Sequence, residues 1–139
     1  QAWRPHLVKD IEKLEKVQRR ATRMIEECSG KSYKDRIQIL GLTTLETRRV
    51  RADMLEVFKI LKGYEGVNGE CFFRKQSTIT RGHSMKLYKE RVYKDVCKYS
   101  FGNRVIDKWN SLPEDSINAT SINMFKNRLD KFLCNKLGE

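Results

Sequence analysis

The clearest pattern in the chain is a helical repeat of apolar residues over residues 7–28. The apolar positions recur at steps of three and four, which places them along one side of a helix: Leu7, Ile11, Leu14, Val17, Ala21, Met24, Ile25 and Cys28. Pro5 precedes the first turn, where proline is tolerated, and Ser29-Gly30 is a stop signal. The stripe predicts a helix that packs on the core of a domain, with a coiled-coil seam as the alternative.

Four further helices are predicted, each by a capping residue followed by apolar positions at helical spacing. They cover residues 33–40, 44–62, 101–111 and 121–135. Thr43 and Glu46 form a capping box for the second of these four helices, and Pro113 ends the third. We therefore expect a mainly α chain, folded as a compact bundle of about five helices in a single domain of residues 1–139.

Two neighbouring segments interrupt the helical pattern. Residues 63–80 hold three of the eight glycines and little periodicity, which predicts a loop. In the stretch that follows, Met85 and Leu87 alternate with Lys86 and Tyr88. Alternation with a period of two predicts a short extended or hairpin segment near residues 80–99.

The positive charge of the chain is large and unevenly distributed. The formal net charge is +11, and residues 1–62 hold 15 lysines and arginines against 9 acids, while residues 81–108 hold 8 against 3. Such a surface attracts polyanions through their phosphates without reading base sequence. The charge therefore favours a nucleic acid as the partner, although basic residues that only keep a surface solvated are the alternative.

The candidate contact residues fall into three groups of cations along the chain. In the last group, aromatic residues alternate with lysines and arginines, as surfaces that bind single strands require, so RNA or single strands are favoured. The alternatives are a solvated helix face balanced by neighbouring glutamates, and an edge strand protected by its lysines. The candidates for nucleic-acid binding are Arg19, Arg20, Arg23, Arg48, Arg49, Arg51, Arg81, Lys86, Tyr88, Lys89 and Arg91.

Signatures of catalysis and of bound cofactors are missing from the sequence. It contains no phosphate-binding glycine loop, no G-x-S-x-G turn and no pair of adjacent aspartates of the kind that holds two metal ions. The four cysteines include no C-x-x-C pair, so we expect reduced and mostly packed thiols rather than a zinc site. A non-enzymatic chain with no metal and no cofactor is the prediction.

The sequence also bears on location and partners. No apolar run approaches the length of about 18 residues that a membrane span needs, so no membrane partner is expected. Reduced cysteines favour an intracellular location, nuclear or cytoplasmic. The chain begins at Gln1 rather than at a methionine, and we therefore expect it to be a piece of a longer parent protein or a processed product.

Three blocks of the sequence resemble a known family. They are residues 3–22, 40–54 and 80–133, and the most specific parts are residues 18–21 (QRRA) and 109–113 (WNSLP). They resemble the C-terminal region, downstream of the reverse transcriptase, of non-LTR (LINE-type) retrotransposon polyproteins. The resemblance implies a parent that is an RNA-directed DNA polymerase, and a non-catalytic module that helps to hold template RNA or target DNA.

A second interpretation stays open beside the resemblance. A domesticated or stand-alone module would act in protein interaction or as a structural element, through its amphipathic helices. Its partner would then be a second copy of the chain or the other domains of a parent protein. A tight homodimer that does not bind RNA would favour this interpretation.

Overall fold

The computed structural model describes residues 4–77 and 81–137. Residues 1–3, 78–80 and 138–139 lie outside this part, and they include both ends of the predicted domain and the junction of the predicted loop with the extended segment. The described chain is mainly helical, which confirms the predicted fold class. Its α-helices are α1 (Val8–Arg23), α2 (Tyr33–Ile39), α3 (Leu45–Leu61), α4 (Asp95–Lys98), α5 (Phe101–Asn110), α6 (Glu114–Ile117) and α7 (Ile122–Leu137).

The chain divides into two compact units, Trp3–Val50 (the N-terminal unit) and Arg51–Glu139 (the C-terminal unit). The division falls within α3, and the single domain over residues 1–139 stays a prediction. In the ranges 4–77 and 81–137, no helix combines the length and the apolar character that crossing a membrane requires.

The first helix is shorter than its apolar pattern predicts. α1 ends at Arg23 instead of near residue 28, because Ile25 has an extended backbone and a 3₁₀ turn (Glu26–Cys28) follows. In a continuous helix Cys28 would lie one turn beyond Met24, which is 81% exposed. The break at Ile25 turns the chain, and Cys28 is instead buried with 1% of its surface exposed.

The start of α3 also differs from the predicted capping box. The hydroxyl of Thr44, not that of Thr43, accepts the backbone N–H of Thr47 at 3.2 Å, so the cap lies one residue later. Glu46 pairs with Arg4 rather than closing a box. The helix consequently begins at Leu45.

Three aromatic rings form the centre of the C-terminal unit. Phe58 of α3 stacks on Phe125 of α7 with 4.2 Å between the ring centroids, and Trp109 of α5 lies 6.2 Å from Phe125. None of the three side chains is exposed. Buried aromatic side chains contribute large apolar areas, so this cluster holds α3, α5 and α7 together.

The chain around Leu87 is extended, as predicted near residues 80–99, although a helix occupies residues 95–98 of that range. This extended segment lies against α5. Lys75 and Leu87 form an isolated antiparallel bridge, in which the N–H of Tyr88 donates to the carbonyl of Arg74 at 2.7 Å. Residues 74–76 belong to the predicted loop, so the extended segment pairs with that loop and not with itself. α4 then follows at Asp95–Lys98.

Side chains at the end of α5 bind this extended segment. The indole N–H of Trp109 donates to the carbonyl of Met85 at 2.8 Å. Asn110 accepts the N–H of Leu87 at 2.9 Å and donates to its carbonyl at 2.8 Å. The ring Nε2 of buried His83 donates to the carbonyl of Trp109 at 2.9 Å. Trp109 is fully buried, and the amide of its neighbour Asn110 makes the hydrogen bonds that a neighbouring strand would otherwise make to Leu87.

A buried ion pair joins α3 to α5. Arg104 donates from Nη2 and Nε to the two carboxylate oxygens of Asp53, at 3.0 and 3.3 Å. The exposed fractions of the two side chains are 12% for Arg104 and 4% for Asp53. The paired geometry compensates for the loss of hydration that both charges suffer.

We expect Asp53→Ala to lower the free energy of unfolding by about 3–5 kcal/mol, because the Arg104 guanidinium would stay buried without this carboxylate. The matched control is Asp107→Ala, which removes the exposed partner of Lys89 from α5, the helix that carries Arg104. It should cost less than about 1 kcal/mol. Urea unfolding followed by circular dichroism measures both variants, and equal losses would contradict a structural role for the Asp53 pair.

Candidate nucleic-acid interface

A row of polar side chains, rather than the predicted apolar stripe, attaches α1 to the rest of the N-terminal unit. Glu15, which is 8% exposed, accepts the hydroxyl of Tyr33 and the first backbone N–H of α3, at Leu45. The amide of Gln18 donates to the Tyr33 hydroxyl and to the carbonyl of Thr43, both at 3.0 Å. A carboxylate at the start of α3 also complements the positive end of that helix.

The same row continues toward the end of α1. Thr22 is 2% exposed and its hydroxyl accepts Nε of Arg36 at 3.2 Å. Arg36 is 6% exposed and donates from Nη1 to the carbonyl of Lys31 at 2.6 Å. Such directional bonds fix the rotation of α1 about its axis, because a helix turned by one residue would lose them.

The fixed rotation exposes a line of cations on the far side of α1. These residues alternate at steps of four and three, so they share one face over a length of about 21 Å. They are exposed, and we call them the α1 cation stripe: Lys9, Lys13, Lys16, Arg20 and Arg23. The ammonium of Lys13 lies 3.6 Å from Asp10, whereas the other four have no carboxylate partner within the described part of the chain.

The fixed rotation also leaves part of the apolar stripe in solvent. Val17 is 67% exposed and Met24 is 81% exposed. Five of the eight stripe residues are exposed, Ile11 and Leu14 are half-buried, and only Cys28 is buried. The prediction that the stripe packs on the core is therefore wrong for most of it. Long-range hydrogen bonds from Glu15 and Thr22 determine which side is buried, and sequence periodicity carries no information about them.

The other predicted contact residues of the N-terminal unit differ in their availability. Arg48 is exposed on α3. Arg19 lies with its Cζ 5.0 Å from the centre of the Tyr33 ring, a cation–π contact. Arg49 is half-buried, with its Nη1 3.7 Å from a carboxylate oxygen of Glu46. Of these three, Arg48 is the most accessible to a ligand.

Two predicted contact residues of the C-terminal unit are already bound by carboxylates. Arg51 donates to Asp130 from Nε at 2.5 Å and from Nη2 at 2.9 Å, and this hydrogen bond raises the pKa of the guanidinium. Lys89 is bonded to Asp107. A phosphate would have to displace these partners, so both residues are weaker candidates than the charge count indicates.

The remaining predicted residues lie on or beside the extended segment. Arg81 and Arg91 are exposed and, among the described residues, no acidic side chain pairs with either. The ammonium of Lys86 is bonded to the carbonyl of Arg81. The ring of Tyr88 is 47% exposed and lies under Arg74, whose Cζ is 5.4 Å from the ring centre.

Sequence reasoning missed several residues of these surfaces. Lys9 and Lys13 could have been predicted from the sequence, because they continue the helical spacing of Lys16, Arg20 and Arg23 at steps of four and three. Arg74 could not have been found, since only the bridge between Lys75 and Leu87 brings it to Tyr88.

Metal binding finds no support in the described ranges. No group of three or more His, Cys, Asp and Glu side chains is placed there to hold a metal ion. The four cysteines are free thiols, and only Cys28 is buried, whereas Cys71, Cys97 and Cys134 are exposed. The expectation of mostly packed thiols is therefore wrong for three of the four.

Tyr33 makes the attachment of α1 sensitive to alkaline pH. Burial, followed by its hydrogen bond to Glu15, raises the pKa of Tyr33 from 10.0 to about 12. Because the folded state holds the phenol proton more tightly, this contribution to stability is complete below pH 10.0 and is lost as the pH rises to about 12.

We expect Tyr33→Phe to remove the loss of stability between pH 10.0 and about 12. Phenolate absorbance and chemical unfolding as functions of pH measure the two effects. Tyr93→Phe is the control, because Tyr93 is 94% exposed and lies outside the contacts that attach α1. A Tyr33→Phe protein with an unchanged alkaline transition would show that Tyr33 is not its cause.

Comparison with known proteins finds no match to this chain. No protein-family model, no curated protein and no solved structure matches the chain. The resemblance to retrotransposon tails therefore depends on the sequence blocks alone, and a role in nucleic-acid binding stays a prediction.

Proposed function

We propose that this chain is a non-catalytic nucleic-acid-binding module that holds RNA or single strands mainly through their phosphates. The α1 cation stripe is the observation that carries the proposal. It presents five cations on one exposed helix face, and within the described part of the chain only Lys13 lies near a carboxylate. In the resembled retrotransposon proteins, the corresponding role is to hold template RNA or target DNA.

Four of the five stripe cations have no carboxylate partner within the described ranges, and this matters energetically. A cation that is already paired, such as Arg51 with Asp130, must give up its partner before it gains a phosphate. Lys16, Arg20 and Arg23 exchange only water and counterions, and the release of counterions from the nucleic acid drives such binding. The stripe therefore offers more binding free energy per cation than the paired residues do.

The C-terminal unit supports a preference for single strands. Tyr88 and Tyr93 expose their rings on a segment that also carries Arg91. Aromatic rings stack on bases only where the bases are unpaired, because a duplex covers their faces. Rings that alternate with cations therefore favour RNA loops or single strands over regular duplexes.

The stripe makes a quantitative prediction about salt. If about six phosphates are engaged, the logarithm of the association constant should fall against the logarithm of salt concentration with a slope near −4 for single strands. Replacing Lys16, Arg20 and Arg23 by glutamine should reduce this slope by about 2 and weaken binding by about 100-fold at moderate salt. Fluorescence anisotropy with labelled single-stranded RNA at several salt concentrations measures both.

A control with the same change in net charge is available. Lys62, Lys126 and Lys131 belong to the C-terminal unit and not to the stripe, and their replacement by glutamine should leave the slope almost unchanged. If both triple variants lose the same affinity, the effect comes from net charge and the stripe has no special role. A wild-type protein with a flat salt response would overturn the proposal itself.

A second candidate function is supported by the exposed apolar edge of α1. Val17 and Met24 lie beside the cation stripe and are mostly in solvent. An exposed apolar row on a helix is typical of a surface that docks another helix. Since a second copy would add another row of cations, the complementary partner is a helix with an apolar stripe flanked by acidic residues.

We expect a synthetic helical peptide, with leucines at steps of three and four flanked by glutamates, to bind the chain if this second function exists. The double variant V17S/M24S should lose that binding and keep its affinity for RNA, since neither side chain is a cation. Met124→Ser is the matched control, as Met124 is an exposed methionine of α7. Light scattering should give the monomer mass of 16.4 kDa, and a stable dimer would contradict this choice of partner.

A further inference from the structure

A cleft with a volume of about 310 Å³ opens on the C-terminal unit. It lies between the residues that follow the 3₁₀ turn Gly69–Cys71, the first turn of α5 and the end of the extended segment. Its volume is at the lower end of the range, about 300–1,000 Å³, that small ligands occupy in proteins. The cleft is therefore large enough for one flat ring with its sugar.

Two large aromatic rings border the cleft without being buried. Phe72 is 52% exposed and Tyr88 is 47% exposed, although the neighbouring Phe73 is 3% exposed. Arg74 covers the Tyr88 ring from one side. The backbone bond from the N–H of Tyr88 to the carbonyl of Arg74 holds this pair in place. Half-exposed rings at a cleft offer faces on which a planar ligand can stack.

The polar groups of the cleft are mostly acceptors. Glu70 and Glu90 line it, and within the described ranges neither carboxylate has a hydrogen-bond donor or a cation bound to it. Asn103 also lines the cleft and donates its amide N–H to the carbonyl of Cys97 at 2.8 Å, so its own oxygen is available as an acceptor. Two carboxylates repel a phosphate, but they accept N–H groups from the edge of a base.

We propose that this cleft receives one unpaired nucleobase of the bound strand, with its ring against Phe72 and Tyr88 and its amino edge toward Glu70 and Glu90. The inference rests on the proposed function and specifies the ligand of its C-terminal surface. Arg91 follows Glu90 in the chain and is exposed, so the phosphates outside the cleft meet a cation. Cytosine suits the site well, because its exocyclic amino group donates to carboxylates, whereas uracil presents a carbonyl at that position.

The test compares single-stranded oligomers of about 12 nucleotides that differ only in their bases. One carries cytosines, one carries uracils, and one is abasic with the same number of phosphates. Anisotropy at constant salt should rank the cytosine oligomer first and the abasic oligomer last. Phe72→Ala should weaken the cytosine oligomer by about 5- to 100-fold, the range measured for lost base stacking, and leave the abasic oligomer unchanged.

Three further variants keep the test independent of folding. Phe72→Leu retains an apolar side chain without an aromatic ring and should lose nearly as much affinity as Phe72→Ala. Val96→Ala is the control for loss of an exposed apolar side chain outside the cleft, since Val96 is 85% exposed. Glu90→Gln should strengthen binding of the abasic oligomer, because it removes a negative charge that repels phosphates. The same variant should lower the preference for cytosine over uracil.

The outcomes separate this inference from the proposed function. If the cytosine and abasic oligomers bind equally well and Phe72→Ala changes neither affinity, the cleft does not receive a base, while the proposed phosphate binding stands. If no oligomer binds even at low salt, the proposed function fails and the cleft fails with it. If cytidine monophosphate binds as tightly as the cytosine oligomer does, the cleft is a site for free nucleotides, and the assignment to a base within a strand is overturned.

Discussion

The C-terminal unit depends on how α5 satisfies the backbone of the extended segment. A strand normally bonds to a neighbouring strand, but here only one bridge, between Lys75 and Leu87, is present in the described ranges. The amide of Asn110 supplies both missing bonds of Leu87, and the indole of Trp109 supplies that of Met85. Since a buried backbone group without a partner costs about 1–3 kcal/mol, the segment could not lie against α5 without these two side chains. These bonds also fix the position of Tyr88 beside the cleft of the C-terminal unit.

Polar groups have a comparable role in the N-terminal unit, where they decide which side of α1 meets solvent. Burial of Glu15 is favourable only because Tyr33 and the first N–H of α3 both donate to it. The apolar alternative, with Val17 turned inward, would leave that carboxylate without these donors. The candidate interface is thus a product of the polar contacts beneath it, because they turn the cations and an apolar edge outward together.

Much of the helical architecture can be predicted from local sequence, because caps and periodicity act over a few residues. Ser32 caps α2 by accepting the N–H of Asp35, and Trp109 is buried as its helical spacing indicates. The failures lie where partners are distant in sequence. Residues 74–76 show no strand-like alternation, so their bridge to the extended segment could not be foreseen. Ser100 precedes α5 as expected, yet its hydroxyl donates to Cys97 instead of capping the helix.

The candidate site illustrates the same limit for electrostatics. Counting lysines and arginines treats Arg51 and Arg20 alike, but the fold gives Arg51 a carboxylate 79 residues away and leaves Arg20 in solvent. Arg104 is likewise used by Asp53 across 51 residues. Cations that are paired with carboxylates, such as Arg51 and Arg104, stabilise the fold. Only the unpaired cations can exchange counterions for phosphates without first breaking an ion pair. Under the proposed function, unpaired surface cations therefore determine how many phosphates are engaged, and the net charge of +11 overstates that number.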